Sequence, residues 1–401
     1  MAAKKASRSR GSESGADVFA IASAARESLS DLRAAKREWS QRLLAPSGAG
    51  VARVAAASMR RVPTAPAATP EQNVVGVGVA EKTVEGQPTG VLCVKFFVRV
   101  KFAKGQLSRG EKLPTQIDGI AVDVEQVGVF RKFATRRRRK RKSSSGPIPD
   151  PRTRRRPARP GCSVGFRDPA DAFVMAGTFG ALVRKGAKRF ILSNNHVLAD
   201  ENRLPKGAAI FQPGLLDNGN AATDQIATLT DFVRLRAGTN NRVDAAIAAL
   251  QSASVAIPDI LHIGKPKGSK KAAIDMVVQK FGRTTSYTAG RVTSIDTDVA
   301  VDYDTGTFTF ADQMIIKGLN GTSFSNSGDS GSLITERGTN AAVGLLFAGS
   351  SAYTIANHID AVLAQFGRIT LVEDGRRDDG LERRPTRTDA QRWQLSARQE
   401  R

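Results

Sequence analysis

Apolar residues near the start of the chain recur at three- and four-residue steps: Ala22, Ala25, Leu29, Leu32, Trp39 and Leu43. That period predicts an amphipathic helix over 17–44, whose stripe must be covered by the body of the protein or by a second copy. Lys4, Lys5, Arg8 and Arg10 ahead of Val18–Ala25 imitate an export signal, but Asp17 and Arg26-Glu27 interrupt the apolar stretch, so the helix is the better reading. Further on the period shortens. Val74–Val79, Val91–Val100 and Ile120–Val129 are β-branched or aromatic runs, the first two joined by a turn over 85–90. Between 161 and 370 short runs alternate with Gly, Asn and Asp turns: Gly177–Val183, Arg189–Ser193, Gln225–Leu229, Ala245–Leu250, Met276–Lys280, Gly290–Ile295, Met314–Lys317, Ser332–Thr335 and Val343–Phe347. Roughly a dozen strands at this spacing predict an antiparallel sandwich or a pair of barrels. One further helix is expected near Asn357–Phe366.

Composition agrees with a mainly β protein, since only 6% of residues are aromatic and 37 are glycines. The formal charge of +23 is concentrated, with fourteen Lys/Arg against one acid in 131–160. A run such as Arg136–Lys142 cannot bury itself, so 131–160 reads as an Arg-rich linker, disordered in isolation and open to non-specific contact with nucleic acid or an anionic surface. Aromatics that could stack on bases are nearly absent from it, which speaks against sequence-specific recognition. The expected order is a basic tail 1–16, the helix 17–44, a linker 45–70, a small β-rich accessory unit 71–130 and the Arg-rich linker 131–160. The main domain 161–370 and a charged tail 371–401 complete it. Cys93 and Cys162 lie in different segments and suggest neither a disulfide framework nor a metal site, which favours the cytoplasm over secretion. No run reaches the roughly 18 apolar residues that span a bilayer.

Three short motifs carry candidate chemistry. His196 closes Phe190-Ile191-Leu192-Ser193-Asn194-Asn195-His196, where an apolar strand ends in a polar turn. Asp244 opens Asp244-Ala245-Ala246-Ile247-Ala248, and a carboxylate drawn inward must be met by hydrogen bonds, for which an imidazole N–H is suited. Ser330 stands in Gly328-Asp329-Ser330-Gly331, where glycines free the backbone for a tight turn on which the N–H groups of Gly328 and Ser330 can converge on an oxyanion. Singly, each has a bland alternative: a structural histidine, a helix cap, an ordinary β-turn. A serine hydroxyl needs a base and the base needs a carboxylate, so their joint occurrence points to acyl transfer. The other histidines fit poorly, with His262 following an apolar run and His358 in the second helix candidate.

On these residues, 161–366 resembles the trypsin/chymotrypsin-like serine peptidases. Phe281–Gly290 is similar to a segment of bacterial streptogrisin-type members, and Leu192–His196 with Val243–Ala248 to bacterial trypsin-like and plant narrow-leaf-type proteins; Asn73–Gly78 is similar to the N-terminal extension of those bacterial proteins. The resemblance implies a two-barrel core and a serine endopeptidase acting on a protein or peptide through an acyl-enzyme. It gives His196 as base, Asp244 as its orienting carboxylate and Ser330 as nucleophile, with no metal or organic cofactor. It also assigns Phe324 to the base of the specificity pocket and Phe347, Ala348 and Gly349 to the strand that pairs with substrate. With no acid in that pocket, an apolar or small side chain is expected there. Two departures stand out: Asn195 replaces a small residue before the histidine, and Phe347 stands where many relatives have a serine that supports the aspartate. The second implies an aspartate one hydrogen bond short and low basal activity, and keeps an idle protease-fold scaffold as an alternative. No Ile-Val-Gly-Gly-like new N-terminus is present, so activation by cleavage at such a terminus is not expected.

Overall fold

The computed structural model describes residues 15–44, 70–133, 135–136, 149–169 and 174–373, with the backbone alone at 15–27, 104, 111, 135 and 136. The expected tail before 15, the linker 45–69, residues 137–148 of the cationic linker and the tail after 373 lie outside the described residues.

Helix α1 (Gly15–Leu44) and a single turn α2 (Pro70–Asn73) precede the strands β1 (Val74–Val84), β2 (Gln87–Val98), β3 (Gln116–Ile117), β4 (Ile120–Gln126), β5 (Arg131–Lys132) and β6 (Thr135–Arg136). A first group follows: β7 (Ser163–Phe166), β8 (Met175–Thr178), β9 (Ala181–Lys185), β10 (Lys188–Ser193), the turn α3 (Asn195–Leu198), β11 (Ala209–Phe211), β12 (Gln225–Phe232), β13 (Asn240–Asn241) and β14 (Ala246–Leu250). The second group is β15 (Val277–Gly282), β16 (Ser286–Tyr303), β17 (Gly306–Gly318), β18 (Leu333–Glu336), β19 (Ala342–Gly349), β20 (Tyr353–His358), helix α4 (Ile359–Ala364) and β21 (Thr370–Leu371). The run 85–90 is not all turn. Glu85 (φ 51°) and Gly86 (φ 79°) alone make the reversal, the doubly left-handed geometry that matches strand twist in a two-residue hairpin.

The strands form two sheets. In the larger, β15-β16-β17-β20-β19-β18 closes on itself through the β16–β17 and β18–β15 ladders, a six-stranded barrel filled by Val278, Val292, Met314, Ile316, Ile334, Val343 and Leu346. The smaller has the order β21-β9-β10-β14-β12-β11-β7-β8-β6 and wraps a core that includes Val164, Phe166, Leu182, Ile191, Leu229 and Ile247. This is the expected mainly β architecture, two sheets with a few helices.

The amino-terminal third departs from the expected separate unit. Strand β1 pairs antiparallel with β16 (Gly76↔Val299, Ala80↔Ser294), so β1, β2, β4 and β3 extend the barrel's own sheet. The physical reason lies in their side chains: Val74, Val75, Val77 and Val79 are buried and need cover on both faces. One cover is α1, whose Leu32, Ala35, Leu43 and Leu44 share a cluster with Val77, Val79, Val94 and Phe96, and whose Trp39 meets the Phe96 ring edge-on at 5.5 Å. Lys36 and Ser40 both bond Asp298 at 2.5 Å, and Arg33 pairs with Asp296 at 2.9 Å. The stripe expected to reach the protein body or a second copy is thus used on the same chain.

The Arg-rich linker also ends earlier than expected. From 149 onward its cations have acidic partners: Arg152 pairs with Asp150 at 3.0 Å, Arg154 with Asp224 at 2.7 Å, and Arg156 with Asp224 at 3.5 Å while also donating to Gln212. Ala158 is buried in the smaller sheet's core. Charge density alone marked this stretch as solvated; matched carboxylates across the fold make it ordered structure.

Candidate active site

The β10–β14 ladder pairs Ser193 with Ala246 in antiparallel register. Three residues past the first partner and two before the second therefore emerge at the same end of the sheet. There His196, on the single turn α3, and Asp244 are both fully buried, with Nδ1 of His196 2.5 Å from Oδ2 of Asp244. The backbone around them is fastened from several sides. Asn194 Nδ2 donates to the Asp244 carbonyl at 2.7 Å, Asp244 N–H to Asn357 Oδ1 at 3.1 Å, and His196 N–H to Asp244 Oδ1 at 3.3 Å. Asn195 donates to Val233 O and Asn202 Oδ1, so this departure from a small residue supplies bonds that hold the turn.

Asp244 is not short of a partner. Tyr303, at the end of the 18-residue strand β16, donates its O–H to Asp244 Oδ2 at 2.6 Å and sits edge-on to the His196 ring. This corrects the inference drawn from Phe347: the missing serine hydroxyl is replaced by a phenol from another element. Burial pushes the Asp244 carboxyl up, but the His196 charge and the hydrogen bonds from His196 and Tyr303 outweigh it and hold it below the usual carboxylate range. Burial, with the Asp244 charge adding to it, raises the Tyr303 phenol far above its usual range, so it stays a donor. No local sequence signal marks Tyr303, which is 59 residues from its partner.

Ser330 lies on a loop built around the Asp329 carboxylate. Oδ1 accepts from the N–H groups of Thr284 and Thr285, and Oδ2 from Asn326 N–H and Thr285 Oγ1. The fully buried Lys280 ammonium is 3.4 Å away, pulled below its usual range by burial and partly restored by Asp329. These internal donors hold the loop. Gly328 (φ 98°) and Gly331 (φ 90°) make the reversal. A Cβ at Gly331 would also strike Ser193 Oγ, the side chain three residues before His196. Thr178 N–H donates to the Ser330 carbonyl at 2.8 Å and Ser193 Oγ to the Thr178 carbonyl at 2.8 Å, so nucleophile loop and histidine turn share one short network.

One link is not made. Ser330 Oγ donates to the Phe347 carbonyl at 3.1 Å, and His196 Nε2 is buried with no hydrogen-bond partner. Serine–histidine bonds of this kind commonly tighten only around substrate. Phe324 is buried in the closed barrel's core cluster, which also contains Phe133. Ala348 and Gly349 pair antiparallel with Lys132 and Arg131 of the same chain. The remaining histidines lie elsewhere, His262 against Tyr287 and His358 3.9 Å from Asp312. Among the described residues no group of His, Cys, Asp and Glu could hold a metal ion, and no helix is long and apolar enough to cross a membrane.

No protein-family model matches the chain, and no curated protein does. Solved structures similar to it are serine proteases. Thermobifida fusca protease A is 19% identical over 54% of this chain and 98% of its own, with a TM-score of 0.39. A glutamic acid-specific serine protease is 18% identical over 53% and 100%, TM-score 0.37, and an alpha-lytic protease homolog 20% identical over 53% and 98%, TM-score 0.37.

Proposed function

We propose that this chain is a serine endopeptidase that hydrolyses peptide bonds through Ser330, His196 and Asp244 and an acyl-enzyme. The observation that carries the reading is the fully buried His196–Asp244 pair, its Nδ1 engaged and its Nε2 unpartnered, with Ser330 on a two-glycine reversal tied to the histidine turn through Thr178 and Ser193. Ser330 Oγ attacks the scissile carbonyl carbon while its proton passes to His196 Nε2. Asp244, kept ionised, stabilises the imidazolium. The N–H groups of Gly328 and Ser330 receive the oxyanion, and a donor of this kind contributes about 3–4 kcal/mol to barrier lowering. His196 returns the proton to the leaving amine, and water then releases the acyl group by the same route. Phe324 sits in an apolar cluster with Met314 and Val343, and that surrounding favours an apolar residue before the cut.

A fluorophosphonate probe tests this directly. It is expected to label the wild-type chain and not Ser330→Ala. The Ser330–Phe347 hydrogen bond favours one rival, an idle scaffold of protease fold, which the absence of any labelling would support.

A further inference from the structure

The candidate site already holds a peptide, and the peptide belongs to the same chain. Arg131 and Lys132 pair antiparallel with Gly349 and Ala348, the edge on which a substrate backbone would lie. The next residue, Phe133, donates its N–H to the Phe347 carbonyl at 3.4 Å, and its own carbonyl accepts from Gly328 N–H at 2.8 Å. A carbonyl bonded to a candidate oxyanion donor is a carbonyl set for attack. The Phe133 ring packs in the cluster of Phe324, Met314 and Val343, and a Cβ at Gly349 would collide with it, so that glycine makes room for an aromatic side chain. Lys132 is held by Glu201, a buried acid in the turn that follows α3, and lies 3.0 Å from Asp304 at the tip of the β16–β17 hairpin. Past Phe133, β6 pairs with β8 (Thr135↔Ala176), so backbone ladders grip the segment on both sides of that residue.

We infer that the chain is its own substrate and that the bond it cuts joins Phe133 to Ala134. The inference rests on the peptidase reading above and adds the substrate and the cut. Ser330 Oγ adds to the Phe133 carbonyl carbon and its proton goes to His196 Nε2. The C–N bond to Ala134 breaks, and the amine leaves with that proton. Water, deprotonated by His196, then converts the Phe133 ester into a carboxylate and restores the Ser330 hydroxyl. The only co-reactant is water. Backbone pairing, the apolar cluster around Phe324 and a carboxylate cradle together select Lys-Phe before the cut. The 1–133 piece stays attached after cleavage, because β1 is hydrogen-bonded into the β16 edge and α1 is packed on it.

The test follows purified full-length chain by intact mass and amino-terminal sequencing, with fluorophosphonate labelling in parallel. The expected result is a new terminus reading Ala-Thr-Arg-Arg, formed at a rate unchanged by tenfold dilution and absent from Ser330→Ala. Both pieces should co-elute on size exclusion. Phe133→Asp should slow the cut at least a hundredfold. Should that variant not fold, the wild-type terminus alone decides. A labelled chain that stays whole, or is cut elsewhere, overturns the inference and leaves the peptidase reading intact. A chain neither labelled nor cut overturns both.

Discussion

Tyr303 shows how far one side chain can alter a reading of a site. Asp244 is completely buried, and its charge is tolerable only because His196 and the phenol both donate to it. Hydrogen bonds to a charged group are each worth about 1.5–3 kcal/mol, so Tyr303→Phe, which keeps the ring and deletes the donor, should lower kcat/KM about tenfold or more. Peptide hydrolysis measured alongside the wild type checks this; an unchanged rate would reduce the phenol to packing. At this scale the sequence was readable where chemistry restricts residue type. His196, Asp244 and Ser330 stand out because few residues can act as base, orienting acid and nucleophile. Tyr303 was unreadable because any residue able to donate one hydrogen bond from the right direction would serve, and direction is not written locally.

The helix α1 was legible as an element, since its 3.6-residue stripe is a local property. Its destination was not. The stripe could have met a second copy, yet Leu32, Ala35, Leu43 and Leu44 are buried against β1 and β2, with Lys36 and Ser40 tied to Asp298. Removing the buried Leu32 side chain leaves a hole in that contact. Leu32→Ala is expected to cost about 3 kcal/mol, as buried leucine truncations do. Urea unfolding reads the change, and a loss below about 0.5 kcal/mol would mean that α1 is not part of the cooperative structure. The long strand β16 was visible only in part, as Gly290–Ile295. Polar Ser294, Thr297 and Asp298 interrupt its apolar pattern, and they are buried where β1 and α1 cover them.

Three parts of the molecule meet at Glu201: the amino-terminal segment through Lys132, the turn after α3 that carries Glu201 itself, and the β16–β17 hairpin through Asp304 and Thr305. Burial pushes the Glu201 carboxyl up, but the Lys132 charge and the hydrogen bonds from Lys132 and Thr305 outweigh it and hold it below the usual carboxylate range. A depressed carboxylate binds its proton more readily in the unfolded chain. Its contribution is therefore complete above the ordinary value of 4.5 and is lost as pH falls through the lower folded value. In the Ser330→Ala background, chosen to prevent the inferred cut, the urea midpoint should drop between about pH 6 and about pH 3, and Glu201→Gln should flatten that drop. Equal slopes for the two chains would remove Glu201 from the joint.

Alternating apolar positions, tight-turn residues and one example each of a suitable base, acid and nucleophile determined from sequence alone a mainly β chain and its catalytic candidates. Periodicity and residue chemistry are local, so they survive in one dimension. Tertiary structure decided that 71–130 extends a barrel sheet, that 149–160 is ordered by carboxylates such as Asp224, and that a phenol replaces an absent serine. It alone laid residues 131–133 along β19 and against the Gly328 N–H, because hydrogen-bond registers and buried charge pairs join residues far apart in the chain, and their partners exist only once it has folded.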